Sequence, residues 1–382
     1  MPWVDNEGWD RALEAGADAT PAGGTGPDFL FRRGELIVPE PVWIATGGRL
    51  GEARAQIADF GAREINATDD GARQARKADE ATRLGFRYVA VQGDVDELVA
   101  ANRDVGVTYN HIVVANPQRH GGCAPPVAIR GTPGTAPAEA GAGIRIAVLD
   151  TGMPDPAPFD VEPFGEADIE PPVEQSPPAT DADPLAVGHG SMVAGVIRRH
   201  APAAAIVVRR VLDTPLGVAD ELDVAAALRE VRDVHIVNAS FGGPAAAPDA
   251  MVVFRAAVEE LPGELVVVAS AGNEGETRPH YMAGFERVLS VASVQSVGGH
   301  WEVEAYSNRG DWIDVCAVGT DVESVNQRNG PVACSGTSFA APFVSARIAA
   351  LASGGIAVAD ARDAVANDPA QPLVPAAGRL VV

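Results

Sequence analysis

The sequence predicts an α/β protein in two parts: a three-layer domain with a mainly parallel sheet over residues 142–382, preceded by a small α+β domain over 29–120. Three observations carry this. Beyond Gly143, short runs of Val, Ile and Leu alternate with helix-length patterns, as in a parallel sheet covered on both faces. Before Gly121 the elements are shorter and follow a β-α-β-β-α-β order, the split βαβ or ferredoxin-like arrangement. Between the two, residues 121–141 turn to Gly, Pro and Ala (Ala124-Pro-Pro, Gly131-Thr-Pro-Gly) and read as a linker.

Residues 1–28 lack lasting periodicity apart from a short helical pattern near Trp9 to Ala15, so a loose tail is expected. A strand is expected at Glu35–Val38, then a helix carried by Leu50, Ala53, Ile57 and Phe60 and stopped by Gly61. Arg63–Asn66 is a short strand. The charged stretch Asp69–Arg83 reads as a solvated loop or exposed helix, and Phe86–Val91 alternates like a half-buried strand. Asp94-x-x-Glu97 has the form of a capping box, and Val107–Val114 is the last strand of this domain. Further on, strands are expected at Ile144–Leu149, Ala205–Val211, His235–Asn238, Leu265–Ala269, Val288–Val294 and Ile313–Val318. Helices are expected after His189, over Asp220–Val231 and over Asp249–Glu260.

Composition narrows the function. The 382 residues are 46% hydrophobic and 21% charged, enough for a sizeable core. With 52 acidic against 29 basic residues the formal charge is −23, which disfavours nucleic acid and anionic membrane surfaces as partners. Three cysteines without C-x-x-C spacing (Cys123, Cys316, Cys334) indicate neither a disulfide framework nor a zinc cluster, and fit a reducing compartment. Met1-Pro-Trp-Val-Asp has no basic or apolar leader, and no apolar run is long enough to span a membrane, so a cytoplasmic location is expected.

Four segments carry chemistry. In Ile146-Ala-Val-Leu-Asp150-Thr-Gly a buried strand ends on an acid, which needs a hydrogen-bonding partner there. Gly188-His189-Gly190 opens a small-residue helix, with glycines allowing close approach on both sides of the imidazole. Val266-Val-Val-Ala-Ser-Ala-Gly272-Asn273 delivers an amide into a glycine turn. In Ser335-Gly336-Thr337-Ser338-Phe339-Ala340-Ala341-Pro342 a serine begins an Ala-rich helix, where unpaired N–H groups favour negative charge and Pro342 falls in the first turn. Each alone is also an ordinary turn, cap or satisfied core group.

Jointly, and in the order Asp, His, Ser, they resemble the subtilisin-like serine proteases over residues 142–382. The resemblance implies Ser338 as nucleophile, His189 as general base and acid, Asp150 as the group that holds the imidazole, and Asn273 as oxyanion-hole side chain. It implies that Ser240, Phe241 and Gly242 bind extended substrate, that Ala271 and Gly272 form the facing wall of the pocket before the cut, and that Gly217 makes a more distant contact. Glu274 near the pocket floor would favour a basic or polar residue there, or is a solvent-facing turn acid.

The inserted loop that wraps calcium in many relatives is missing after the His189 helix, so no metal or cofactor is expected. The acidic segment between Asp150 and His189 reads as a solvated loop. By position, size and element order, the first domain resembles the family's inhibitory prodomain, with Pro117–Cys123 expected in the cleft as a product-like strand. The expected activity is a serine endopeptidase acting on extended polypeptide and restrained by its own N-terminal domain. A dedicated maturation protease for one partner protein or peptide precursor, and a catalytically silent peptide-binding relative, are the alternatives.

Overall fold

The computed structural model describes residues 17–19, 29–66, 72–115, 136–153, 169–170, 188–212, 217–231, 233–245, 250–325 and 331–382. The chain divides into two compact units. One comprises Met1–Val113 with Ala219–Glu230 and Pro244–Leu261; the other comprises Val114–Val218, Val231–Gly243 and Pro262–Val382.

In the first unit a sheet runs in the order Arg63–Glu64, Phe86–Ala90, Leu30–Pro39, Thr108–Val114, Val218–Asp220, with Ala17–Ala19 paired antiparallel to Leu30–Arg32. Part of the expected loose tail is thus a strand; the helical pattern near Trp9 lies outside the described residues. The helices Gly48–Asp59 and Val95–Asn102 supply Ala53, Ile57, Leu98 and Val99 to a core with Phe29, Leu36, Val38 and Val89. Asp94 caps the second of these, its carboxylate accepting the Asp96 and Glu97 N–H groups at 2.9 and 3.3 Å.

The expected β-α-β-β-α-β order needs one correction: a full helix, Ala72–Arg83, stands between the strands Arg63–Glu64 and Phe86–Ala90. It is not an exposed helix, because Lys77, Ala78, Glu80 and Ala81 are buried. Charge satisfies charge there. Lys77 Nζ lies 2.5 Å from Asp220, which also accepts from Arg32 Nε at 3.1 Å, and Arg73 grips Asp223 with two bonds of 2.7 and 2.8 Å. Arg83 pairs with Glu80 and Glu260. Glu221 faces His111 Nδ1 at 3.0 Å and accepts the Val253 and Phe254 N–H groups that open the helix Val252–Glu259. Burial works to raise the Asp220 carboxyl, but Lys77 and Arg32 outweigh it and hold it well below the usual carboxylate range.

The second unit is built on a ten-stranded sheet in which Arg145–Asp150 lies between Ala205–Arg210 and Ile236–Ala239, followed by Val266–Ser270, Val288–Val297 and Val315–Val318, all parallel. Their side chains are buried on both faces, which explains the unbroken apolar runs. The helices His189–His200 and Thr337–Ala352 cover one face through Val193, Ile197, Phe339 and Val344. The hairpin Val322–Val325 with Pro331–Cys334, the antiparallel strand His300–Val303 and the helix Val358–Asn367 are additions to the expected elements. This is a three-layer α/β domain, as the sequence predicts.

The cysteines also differ from expectation. Cys334 is disulfide-bonded, whereas Cys316 is a buried free thiol whose pKa burial pushes up to about 12. Three cysteines at distant spacing carry no pairing signal in the sequence. Cys123 lies outside the described residues.

Candidate active site

Parallel register brings three strand ends to one side of the sheet. Ala239 pairs with Leu149 on one neighbour and Ala269 on the other, so Asp150, Ser240 and Ser270–Asn273 emerge together at the carboxyl edge. Asp150 is fully buried and both its oxygens face His189 Nδ1, at 2.8 and 2.9 Å. The Thr151 N–H also donates to Asp150 Oδ1 at 2.7 Å, while the Thr151 hydroxyl accepts the Gly190 N–H at 3.0 Å and anchors the start of the histidine helix. Only glycine fits at 190: a Cβ there would lie 2.4 Å from the Gly152 carbonyl oxygen. With Nδ1 committed to a carboxylate, the imidazole presents Nε2 to chemistry, and that atom is buried without a hydrogen-bond partner.

Ser338 is the second residue of the helix Thr337–Ala352, after Gly336 at φ 144°. Pro342 is inside this helix rather than in its first turn, and the difference has a consequence. An N–H at position 342 would bond the Ser338 carbonyl; proline has none. The Ser240 hydroxyl takes that carbonyl at 3.0 Å, and the Ser338 hydroxyl donates back to the Ser240 carbonyl at 3.2 Å. Ser338 is therefore held from both of its oxygens by one residue. Its hydroxyl is turned to Ser240 and not to His189, although the His189 ring lies 5.7 Å from that of Phe339, the next residue. Nucleophile–base bonds are commonly long or misaligned before substrate binds.

Asn273 is oriented by Thr337, whose N–H and hydroxyl both donate to Asn273 Oδ1 at 2.9 Å. Its NH2 is the end that Thr337 leaves for other partners. Thr337, the second role of Ser240 and the Thr151 bond escape sequence reasoning; only Pro342, four places after Ser338, signals an unbonded carbonyl at that serine.

Two extended contacts line the cleft. Val114 pairs antiparallel with Gly242, N–H to carbonyl at 2.9 Å and back at 3.1 Å, and the Ala115 N–H donates to the Gly217 carbonyl at 2.8 Å. Val114 thus lies against Gly242 and Ala115 against Gly217, both earlier in the chain than the expected Pro117–Cys123, which lies outside the described residues. Phe241 and Ala271 are both buried. Among the described residues no group of three or more His, Cys, Asp or Glu is arranged to hold a metal.

The sheet order, strand-end acid and helix-start serine define a subtilisin-like α/β protein. The Subtilase family model matches residues 141–367, more than half of the sequence, and the chain belongs to that family. It is 30% identical over 247 residues to thermitase of Thermoactinomyces vulgaris, covering 59% of this chain and 81% of that protein. It is likewise 30% identical over 230 residues to a thermophilic serine proteinase of Bacillus sp. strain AK1, covering 56% of this chain; it spans about half, 53%, of that relative's length. The solved structure of fervidolysin from Fervidobacterium pennivorans, a keratinolytic enzyme related to subtilisin, matches 100% of this chain and 63% of its own with TM-score 0.61 and 19% identity, a likeness of fold.

Proposed function

We propose that this chain is a serine endopeptidase whose own N-terminal segment restrains it. The observation that carries the reading is the Asp150–His189 pair, with Nε2 unpartnered, in a subtilase fold that places Ser338 at a helix start. In the proposed reaction the Ser338 oxygen attacks the peptide carbonyl carbon while His189 Nε2 takes its proton. Asp150 fixes the tautomer and offsets the imidazolium charge. The tetrahedral oxyanion is met by the Ser338 N–H and the Asn273 amide. His189 then returns the proton to the leaving amine, and water cleaves the acyl-enzyme by the same steps.

Substrate binds as an added strand on Gly242, with Gly217 as a second backbone acceptor and Phe241, Ala271 and Gly272 as walls. Val114 and Ala115 make these same backbone bonds, which supports restraint by residues 29–120. Tethering gives such a strand a high effective concentration. The ion pairs on Asp220 and Asp223 and the His111–Glu221 contact support a domain that docks on the helices Glu221–Glu230 and Val252–Glu259.

Two measurements test the reading. A fluorophosphonate probe should label the wild type and not Ser338→Ala; absence of label on the wild type would end the endopeptidase reading. Mass spectrometry should find self-cleavage within 116–142 in the wild type and none in Ser338→Ala. Full activity of the uncut chain, unchanged by deletion of residues 1–120, would remove the restraint.

A further inference from the structure

The mechanism uses one buried imidazole; the same unit holds a second in a matching state. His280 is 2% exposed, its Nδ1 lies 3.3 Å from Glu274 Oε2, and its Nε2 is buried with no hydrogen-bond partner. Leaving such an atom unpaired is costly, so it calls for a ligand group.

Its position says which ligand. A Cβ built on Gly272 would lie 2.9 Å from His280 Nδ1 and 2.7 Å from Glu274 Oε2, and one built on Gly242 would lie 3.7 Å from His280 Cβ. His280 therefore sits against both segments proposed as walls of the pocket before the cut. Tyr281, next to it, is bonded to Gly243 in both directions at 2.8 and 2.9 Å, which ties the histidine to the substrate-binding segment. Asn308 steadies the acid: its Nδ2 donates to Glu274 Oε2 at 3.0 Å while its Oδ1 accepts the Glu274 and Glu276 N–H groups at 3.2 and 2.9 Å.

Resting on the endopeptidase reading, we propose that His280, oriented by Glu274, is the specificity-determining residue for the position before the cut and selects a carboxamide side chain, Asn or Gln. Nδ1 faces the Glu274 carboxylate at 3.3 Å, which leaves Nε2 for the ligand, and a carboxamide, carrying both an N–H donor and a carbonyl acceptor, can meet that atom. An apolar side chain would leave it unmet. The register agrees. A peptide antiparallel to Gly242 has its residue two places further on opposite Ser240, whose carbonyl accepts the Ser338 hydroxyl.

The test compares peptides differing only before the cut, with Asn, Gln, Lys, Leu or Glu there. Asn or Gln should exceed Leu and Lys by about tenfold or more in kcat/KM, and His280→Ala should erase that ratio. Preference for Lys would mean that Glu274 reads a cation; preference for Leu, or a ratio surviving in His280→Ala, would equally overturn the proposal. If His280→Ala does not fold, His280→Phe, which keeps the ring and loses the lone pair, replaces it. Fluorophosphonate labelling reports the nucleophile separately. Calorimetry on Ser338→Ala with product peptides ending in Asn or Leu reads the pocket without turnover, and equal affinities there would refute the assignment.

Discussion

Asp150 and Asp220 are alike in position and opposite in consequence. Each ends a strand, each is fully buried, and each has its charge met by a basic side chain distant in sequence. Asp220 faces Lys77 and Arg32, which stay cationic throughout the physiological range, so its pairing is fixed and serves only to hold the first unit together. Asp150 faces an imidazole whose other nitrogen is unpartnered, so in the proposed reaction that nitrogen is available to take and return a proton. A buried acid at a strand end thus serves structure alone where its partners are committed to it, as at Asp220, and is open to the proposed chemistry where its partner keeps an unbonded nitrogen, as at Asp150.

Substitutions should separate the two. The largest effects belong to the proposed nucleophile and base: Ser338→Ala or His189→Ala should each cost about 10⁶ in turnover, measured on any cleaved peptide. Asp150→Asn should cost about 10⁴ through the wrong tautomer while leaving the melting temperature near the wild-type value. Equal losses of stability at both aspartates would break the distinction. Asn273→Ala should lose about 10²–10³ in kcat with labelling of Ser338 retained.

Asp220→Ala should do the reverse, costing about 3–5 kcal/mol of stability because it strands Lys77 in a buried site. The pH dependence sharpens this. The Asp220 carboxyl is held below its ordinary value of 3.8 in the fold, so its contribution is present above about pH 4 and is lost as pH falls further toward the folded value. The difference in melting temperature between wild type and Asp220→Asn should therefore shrink between pH 5 and pH 2.5. The smallest expected effect is none: EDTA should leave melting temperature and activity unchanged, and a fall restored by calcium would reveal a site outside the described residues.

The catalytic side was the more legible of the two in sequence. Asp150, His189, Asn273 and Ser338 sit where apolar periodicity stops, and such breaks are visible without coordinates. The charged helix Ala72–Arg83 was not legible as buried, since Lys77 and Glu80 look solvated until Asp220 and Arg229, each more than a hundred residues away, are known to meet them. The hydroxyl exchange between Ser240 and Ser338 was hidden for the same reason: it is a contact between segments that share no local pattern.

That exchange bears on how this protein can be altered. Pro342 and Ser240 form one unit, because the proline creates the vacancy at the Ser338 carbonyl and the hydroxyl fills it. Restoring a helical N–H with Pro342→Ala should make Ser240→Ala cheaper than it is alone, so the pair would show compensating epistasis in a double-mutant cycle. Libraries that vary the substrate-binding segment while keeping the proline should therefore discard most changes at position 240, and adding the alanine at 342 should open that position to redesign.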